Sequence, residues 1–198
     1  MNTDNTDQAR GWRVFCAFEL PELLRARIQK HATTVRDAVP DGAASWGRPE
    51  NVHLTMKFFG DVDQGKAPLI SKALARAVEE FSVIEISVGG TGVFPRPSRP
   101  QVLWIGVDDS SGALAKLQQR LEDECAREGF PKEDRAFRPH LTIARIRKPH
   151  NANRLAEAHL RTEFPAIELV LNELVLFRSE LSPKGSQYTA LSRHRLQH

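Results

Sequence analysis

Residues 52–60 read VHLTMKFFG, and residues 139–146 read PHLTIARI. Each stretch sets a His and a Thr two positions apart with a Leu between them: His53 and Thr55, then His140 and Thr142. Both stretches are rich in apolar and β-branched residues, so both are expected to be strands. Side chains alternate faces along a strand, so each His–Thr pair points one way and its Leu points into the core. With nine Thr and seven His in 198 residues, chance would supply H-x-T about 0.3 times, and two copies that both enclose Leu come to roughly one in a few thousand. The copies decide the layout: one polar blade, written twice.

Strict alternation from His53 carries Lys57 and Phe59 onto the same face as Thr55. There Lys57 would supply a cation, and an exposed Phe59 could stack on a base. The same rule sends Arg145, five residues after His140, to the opposite face unless a bulge or the strand end turns it.

Around the two motifs the chain alternates strands and helices. Strands are expected at 13–20, 83–93 (interrupted at Gly89-Gly90), 101–107, 137–147, 167–178 and 188–195, besides the first motif strand itself. Helices are expected from Pro21 to about Val39, at 67–81, at 112–128 and at 151–162. Residues 46–51 (WGRPEN) read as a turn-rich approach to the first motif, and 94–100 (FPRPSRP) as the most linker-like segment. Val14 to His53 is 39 residues and Val102 to His140 is 38, and an Arg-Pro pair precedes each motif, Arg48-Pro49 and Arg138-Pro139. That spacing predicts a duplicated α+β plan: a disordered leader over 1–11, then one two-lobed domain over 12–198, with repeats at about 13–93 and 101–196. The two motif strands would meet across a cleft between pseudo-symmetric lobes.

The composition is that of an ordinary globular domain, 40% hydrophobic and 27% charged. A net charge of +3 and a pI of about 9.1 favour an anionic partner but lack the dense basic clusters of a nucleic-acid coat. The two cysteines, Cys16 and Cys125, lie far apart and suit reduced thiols in a cytoplasmic protein. The polar start has no secretory h-region, and no apolar run reaches the roughly 18–20 residues of a membrane span. No H-E-x-x-H, paired-Cys motif or carboxylate cluster suggests a metal, and the Gly-rich VGGTGVF lacks the ending of a phosphate-binding loop. Trp46 and Trp104 read as packing residues. His31, His150, His159, His194 and His198 have no partner spacing and read as surface.

Two imidazoles and two hydroxyls facing one another suit phosphoester chemistry without metal. One imidazole can take a proton from water while the other gives one to the departing oxygen, since a pKa near 6.5 keeps both forms populated at neutrality. The Thr hydroxyls can hold phosphate oxygens for in-line attack.

On RPENVHLTMKFFG, FPRP…VLWIGV, RPHLTIAR and the closing LFRSEL…G..Y..L, the chain resembles the two-histidine (2H) phosphoesterases. Within them it is similar to the RNA 2′,3′-cyclic phosphodiesterases also labelled 2′–5′ RNA ligases, the LigT-like branch. The likeness runs from about Arg13 to Leu196. It implies two α/β lobes with antiparallel sheets around a cleft holding both H-x-T motifs. It also implies metal- and cofactor-independent opening of a 2′,3′-cyclic phosphate at an RNA 3′ end, or of a cyclic nucleotide, to a 2′-phosphomonoester. By position His53 would be the proton donor, His140 the proton acceptor, and Thr55 and Thr142 the phosphate ligands. The resemblance places Arg145 in the family's basic position, against strict alternation. A monomer with no membrane partner is expected. The competing readings are ligation or hydrolysis at a 2′–5′ linkage, and a non-catalytic RNA- or nucleotide-binding module.

Overall fold

The computed structural model describes residues 11–41, 44–182 and 185–197, so the expected leader lies outside the described residues but for Gly11. The chain runs β1 (Trp12–Glu19), α1 (Glu22–Ala38), β2 (Ala44–Trp46), β3 (His53–Val62), α2 (Ala67–Val78) and β4 (Ile84–Phe94). It continues with β5 (Val102–Asp108), α3 (Ala113–Arg127), β6 (His140–Ile146), α4 (Ala152–Arg161), β7 (Ile167–Leu171), β8 (Glu173–Ser182) and β9 (Gly185–Arg195). Two antiparallel sheets result, ordered β3-β1-β8-β9 and β2-β6-β5-β4-β7.

The α+β class and the two-sheet plan are those expected, but the halves of the sequence are not the two sheets. β1 is flanked by β3 and β8, and β5 by β6 and β4. Apart from the short β2, the first half thus runs strand, helix, strand, helix, strand and gives β4 to the other half's sheet, and the second half in turn gives the hairpin β8–β9 to the sheet of β1 and β3. Helices cross over too: α2 packs on α3, and α1 on α4. At the first contact Arg76 of α2 bonds Glu124 of α3 (2.7 Å) and Glu128, which caps that helix (2.8 Å). The single strand expected at 167–178 breaks at Asn172, where the chain leaves one sheet for the other. Three residues read as a turn-rich approach and its lead-in form the short edge strand β2.

β1 explains why its apolar run is unbroken. Val14, Cys16 and Phe18 face the main core, while Phe15 and Ala17 join Val175 and Phe177 of β8 in a second cluster on the opposite face, with Tyr188 of β9 against it. A strand buried on both faces has no polar side to show.

Two histidines read as surface are core residues instead. His31 of α1 and His159 of α4 are 5% and 0% exposed, and His31 Nε2 lies 3.0 Å from His159 Nδ1. His159 Nε2 faces the carbonyls of Gly92 (3.2 Å) and Trp104 (3.1 Å), so it must donate, His159 Nδ1 must accept, and His31 donates to it. Burial pushes both imidazoles down in pKa, His159 to about 4. His194 is half-buried on β9 and bonds Ser192 Oγ, His150 is exposed, and His198 lies outside the described residues.

Candidate active site

The motif strands β3 and β6 lie against one another where the two sheets meet, beside a cleft of about 830 Å³. His53, Thr55, His140, Thr142 and Arg145 all line it. Each histidine is anchored by its own chain two residues upstream: His53 Nδ1 lies 2.8 Å from the Asn51 carbonyl, and His140 Nδ1 2.7 Å from that of Arg138. A carbonyl can only accept, so each Nδ1 carries the hydrogen and each Nε2 is left for the cleft, able to take or give a proton. Asn51 closes a 3-10 turn opened by Pro49 and is itself held by its Nδ2 donating to the Ser186 carbonyl at 2.7 Å.

Alternation fails on both strands, at the same place. Along β1–β3 the register passes from Ala17↔Thr55 to Cys16↔Lys57, leaving Met56 as the extra residue of a bulge. Along β5–β6 it passes from Trp104↔Thr142 to Leu103↔Ala144, leaving Ile143 as the extra residue. Both bulges fall three positions after the His. Each flips the parity just beyond it, so Phe58 and Arg145, each five positions after its His, face the cleft with the motif; β3 then shifts again, from Phe15↔Phe58 to Val14↔Gly60, with Phe59 as the extra residue.

Lys57 and Phe59 are therefore corrected. Lys57 is 6% exposed and points into the core, its ammonium 2.5 Å from Glu122 of α3 and 2.8 Å from the Pro131 carbonyl. Phe59 packs edge-on against Phe130 at 5.5 Å, again away from the cleft. The aromatic on the cleft face is Phe58, 61% exposed. Sequence reasoning missed it because no Gly or Pro marks the bulge. Trp46 also lines the cleft, and the Trp104 ring lies over Gly92, which a side chain at that position would displace.

Electrostatics set the two imidazoles apart. His53 stacks on Phe15 (4.7 Å) and meets Tyr188 edge-on (5.4 Å), and this apolar nest pushes its pKa down to about 4 by desolvation. His140 is also lowered, chiefly by burial, with the Arg138 carbonyl opposing and Arg145 adding to the depression. It meets Phe94 edge-on at 5.0 Å. Four arginines line the cleft, Arg13, Arg48, Arg145 and Arg147, and among the described residues no Asp or Glu does. No group of three or more potential metal ligands gathers among the described residues either.

Paired H-x-T strands around an arginine-lined cleft define the two-histidine phosphoesterase class. The family model described as the 2′-5′ RNA ligase superfamily matches residues 22–183, and this chain belongs to that family. It is 37% identical over 187 residues to an RNA 2′,3′-cyclic phosphodiesterase of Methanothermobacter thermautotrophicus, with 93% of this chain and 98% of that one covered. The protein of the same name from Thermotoga maritima is 33% identical, with 90% and 92% covered. A crystal structure of a Thermus thermophilus protein superposes with a TM-score of 0.75 at 27% identity, covering 93% of this chain and 98% of that one. LigT of E. coli shares the fold, with a TM-score of 0.75 at 23% identity over 96% and 100% of the two chains.

Proposed function

We propose that this protein opens 2′,3′-cyclic phosphates at RNA 3′ ends to 2′-phosphomonoesters, without metal or cofactor. The single observation that carries the reading is the pair of Nδ1-anchored histidines converging with two threonines and Arg145 on one cleft. The relatives are named for the same bond, the 2′,3′-cyclic phosphodiester of RNA. Thr55 and Thr142 hold non-bridging oxygens, and the Arg145 guanidinium offsets the charge that builds on them. His140 Nε2 takes a proton from water as the oxygen bonds phosphorus. The P–O3′ bond breaks opposite, and His53 Nε2–H gives its proton to O3′. The ring strain of the cyclic diester is released, and both bonds change in line.

In the free protein burial favours the neutral form of both imidazoles, His53 most strongly. The negative phosphate favours an imidazolium beside it, so the acid is charged on binding. A module that only bound phosphate would be better served by a fixed cation than by neutral imidazoles. Every group named comes from one chain, so the reaction as proposed calls for no second copy. Both cysteines are free and buried, in keeping with a cytoplasmic setting. Among the described residues no helix is long and apolar enough to cross a membrane.

The test is an oligonucleotide ending in 2′,3′-cyclic phosphate, incubated in excess chelator. The expected product is the 2′-phosphate. A 3′-phosphate, or activity that needs an added divalent ion, would overturn the reading.

A further inference from the structure

The cleft face of the β3-β1-β8-β9 sheet is ordered in rows. Thr55 pairs with Ala17, Phe58 with Phe15, and beyond them Arg13 lies opposite Ser179 of β8. β1 is regular against β8, so its cleft-facing residues step by about 6.6 Å and Arg13 stands about 13 Å along the strand from the threonine row. A 3′-terminal nucleotide carries three groups on one ribose, its cyclic phosphate, its base and its 5′-phosphate, and this face offers a partner for each: the threonine, the aromatic platform and the cation. Phe58 is 61% exposed, its ring 5.8 Å from that of Phe15, which supports it from behind. An exposed Phe braced by a second ring costs hydration in the free protein and suits a base stacked on it. Arg13 lines the cleft and makes no ion pair with any described residue. Asp61, its neighbour across β3, is not among the residues lining the cleft.

We propose that Phe58 and Arg13 form a subsite for the terminal base and for the phosphodiester on its 5′ side, which makes a nucleotide carrying a 5′-phosphate, as within an RNA chain, the preferred ligand over a bare cyclic nucleoside phosphate. This rests on the phosphodiesterase reading, and it extends the site by one phosphate. The stacking partner tolerates any base, because each has an apolar face. The arginine reads a charge that a free nucleoside cyclic phosphate lacks.

Equilibrium binding of two ligands tests it without turnover: adenosine 2′-phosphate and adenosine 2′,5′-bisphosphate. The wild-type protein is expected to bind the bisphosphate more tightly, and Arg13→Gln to shrink that ratio by about tenfold, the scale of one charge-assisted bond. Phe58→Ala should weaken both ligands by a like factor, leaving the ratio in place, and Phe58→Tyr should restore both. An unchanged ratio in Arg13→Gln, or an equal loss on both ligands, would overturn the phosphate subsite. A change of ratio in Phe58→Ala would overturn the placing of the base. If wild type binds neither ligand the subsite is overturned, while the phosphodiesterase reading stands or falls separately on opening of the cyclic-phosphate-ended oligonucleotide.

Discussion

β3 and β6 each present His, then Thr two positions on, then a third cleft residue five positions after the His, and at that third place they part: Phe58 on β3 and Arg145 on β6. The frame beneath them is the same, down to the Nδ1-to-carbonyl anchor and the bulge at Met56 and Ile143. The surroundings are not. His53 sits among Phe15 and Tyr188, while His140 stands near Arg145. A symmetric scaffold thus carries an asymmetric cleft: the rings of Phe15, Phe58 and Tyr188 cluster on the β3 side, while arginines stand on both sides, Arg13 on β1 and Arg145 on β6. A cyclic phosphate joined to a nucleoside is asymmetric in the same sense. The two strands carry matching His–Thr pairs, and the fifth residue sets them apart.

The largest effects should come from the histidines, and they decide whether the halves also differ in role. His53→Ala is expected to slow opening of the ribose cyclic phosphate by roughly 10²–10⁴-fold, the scale of one acid–base contribution. On an accepted diester with a nitrophenolate leaving group it should lose much less, because that anion departs without a proton. His140→Ala should lose on both substrates, since water must still give up its proton. The free protein leans the other way: the larger depression at His53 makes it the weaker holder of a proton. Rescue by nitrophenolate in His140→Ala, with none in His53→Ala, would reverse the roles.

The next contrast lies behind the strands. Four positions after the His, β3 has Lys57 and β6 has Ala144, and both face the core. Lys57 neutralises Glu122, whose carboxylate also accepts from the Glu133 amide at 3.2 Å, tying β3 to the segment that leads into His140. Lys57→Met leaves Glu122 buried without a cation and should cost about 3–5 kcal/mol of stability, most of it recovered in Lys57→Met with Glu122→Leu. Denaturant midpoints measure both. A single variant within about 1 kcal/mol of wild type would show that the pair carries little weight.

The duplicated H-L-T reads directly in the sequence, because the motif is local and its period of two survives in the strand. The bulges do not read, since Met56 and Ile143 are ordinary apolar residues in apolar runs, and a single uncounted residue reverses every face beyond it. That is why Lys57 and Phe59 were expected where Phe58 stands, and why alternation alone misplaced Arg145. The exchange of β4 and β8 is invisible for another reason: which strand lies beside which is a non-local choice. The His31–His159 pair left a trace. His31 falls three residues after Ile28 and four before Val35, and His159 four after Leu155, each on its helix's buried stripe.

The threonines should be nearly equal, which makes them a check on the shared part of the frame. Thr55→Val and Thr142→Val keep the strand and remove one hydroxyl each. Each loss should be about 1–3 kcal/mol in kcat/KM, where tenfold is 1.4 kcal/mol. A variant that stays folded and within about twofold of wild type would mark its threonine as structural, and the phosphate would then rest on the other half alone.

The smallest effects should be in pH, and they separate the two imidazoles in one protein. kcat/KM reports the free protein, in which one histidine must be charged and the other neutral. Both pKa values lie below the ordinary 6.5, His53 at about 4. The singly protonated pair therefore peaks on the acid side of 6.5 and declines as pH rises and the remaining proton is lost. In the bound state the phosphate anion favours an imidazolium and moves the pKa values up, so the kcat bell should sit at higher pH than the kcat/KM bell. Tyr188→Ser wets the nest around His53, raises that pKa towards 6.5 and leaves the His140 side little changed, so one limb of the kcat/KM bell should move alone. Movement of both limbs together would mean that the pair titrates as a unit. Coincident kcat and kcat/KM bells centred above pH 7 would mean that burial does not hold the free imidazoles neutral, and the difference between the two halves would then lie in Phe58 and Arg145 only.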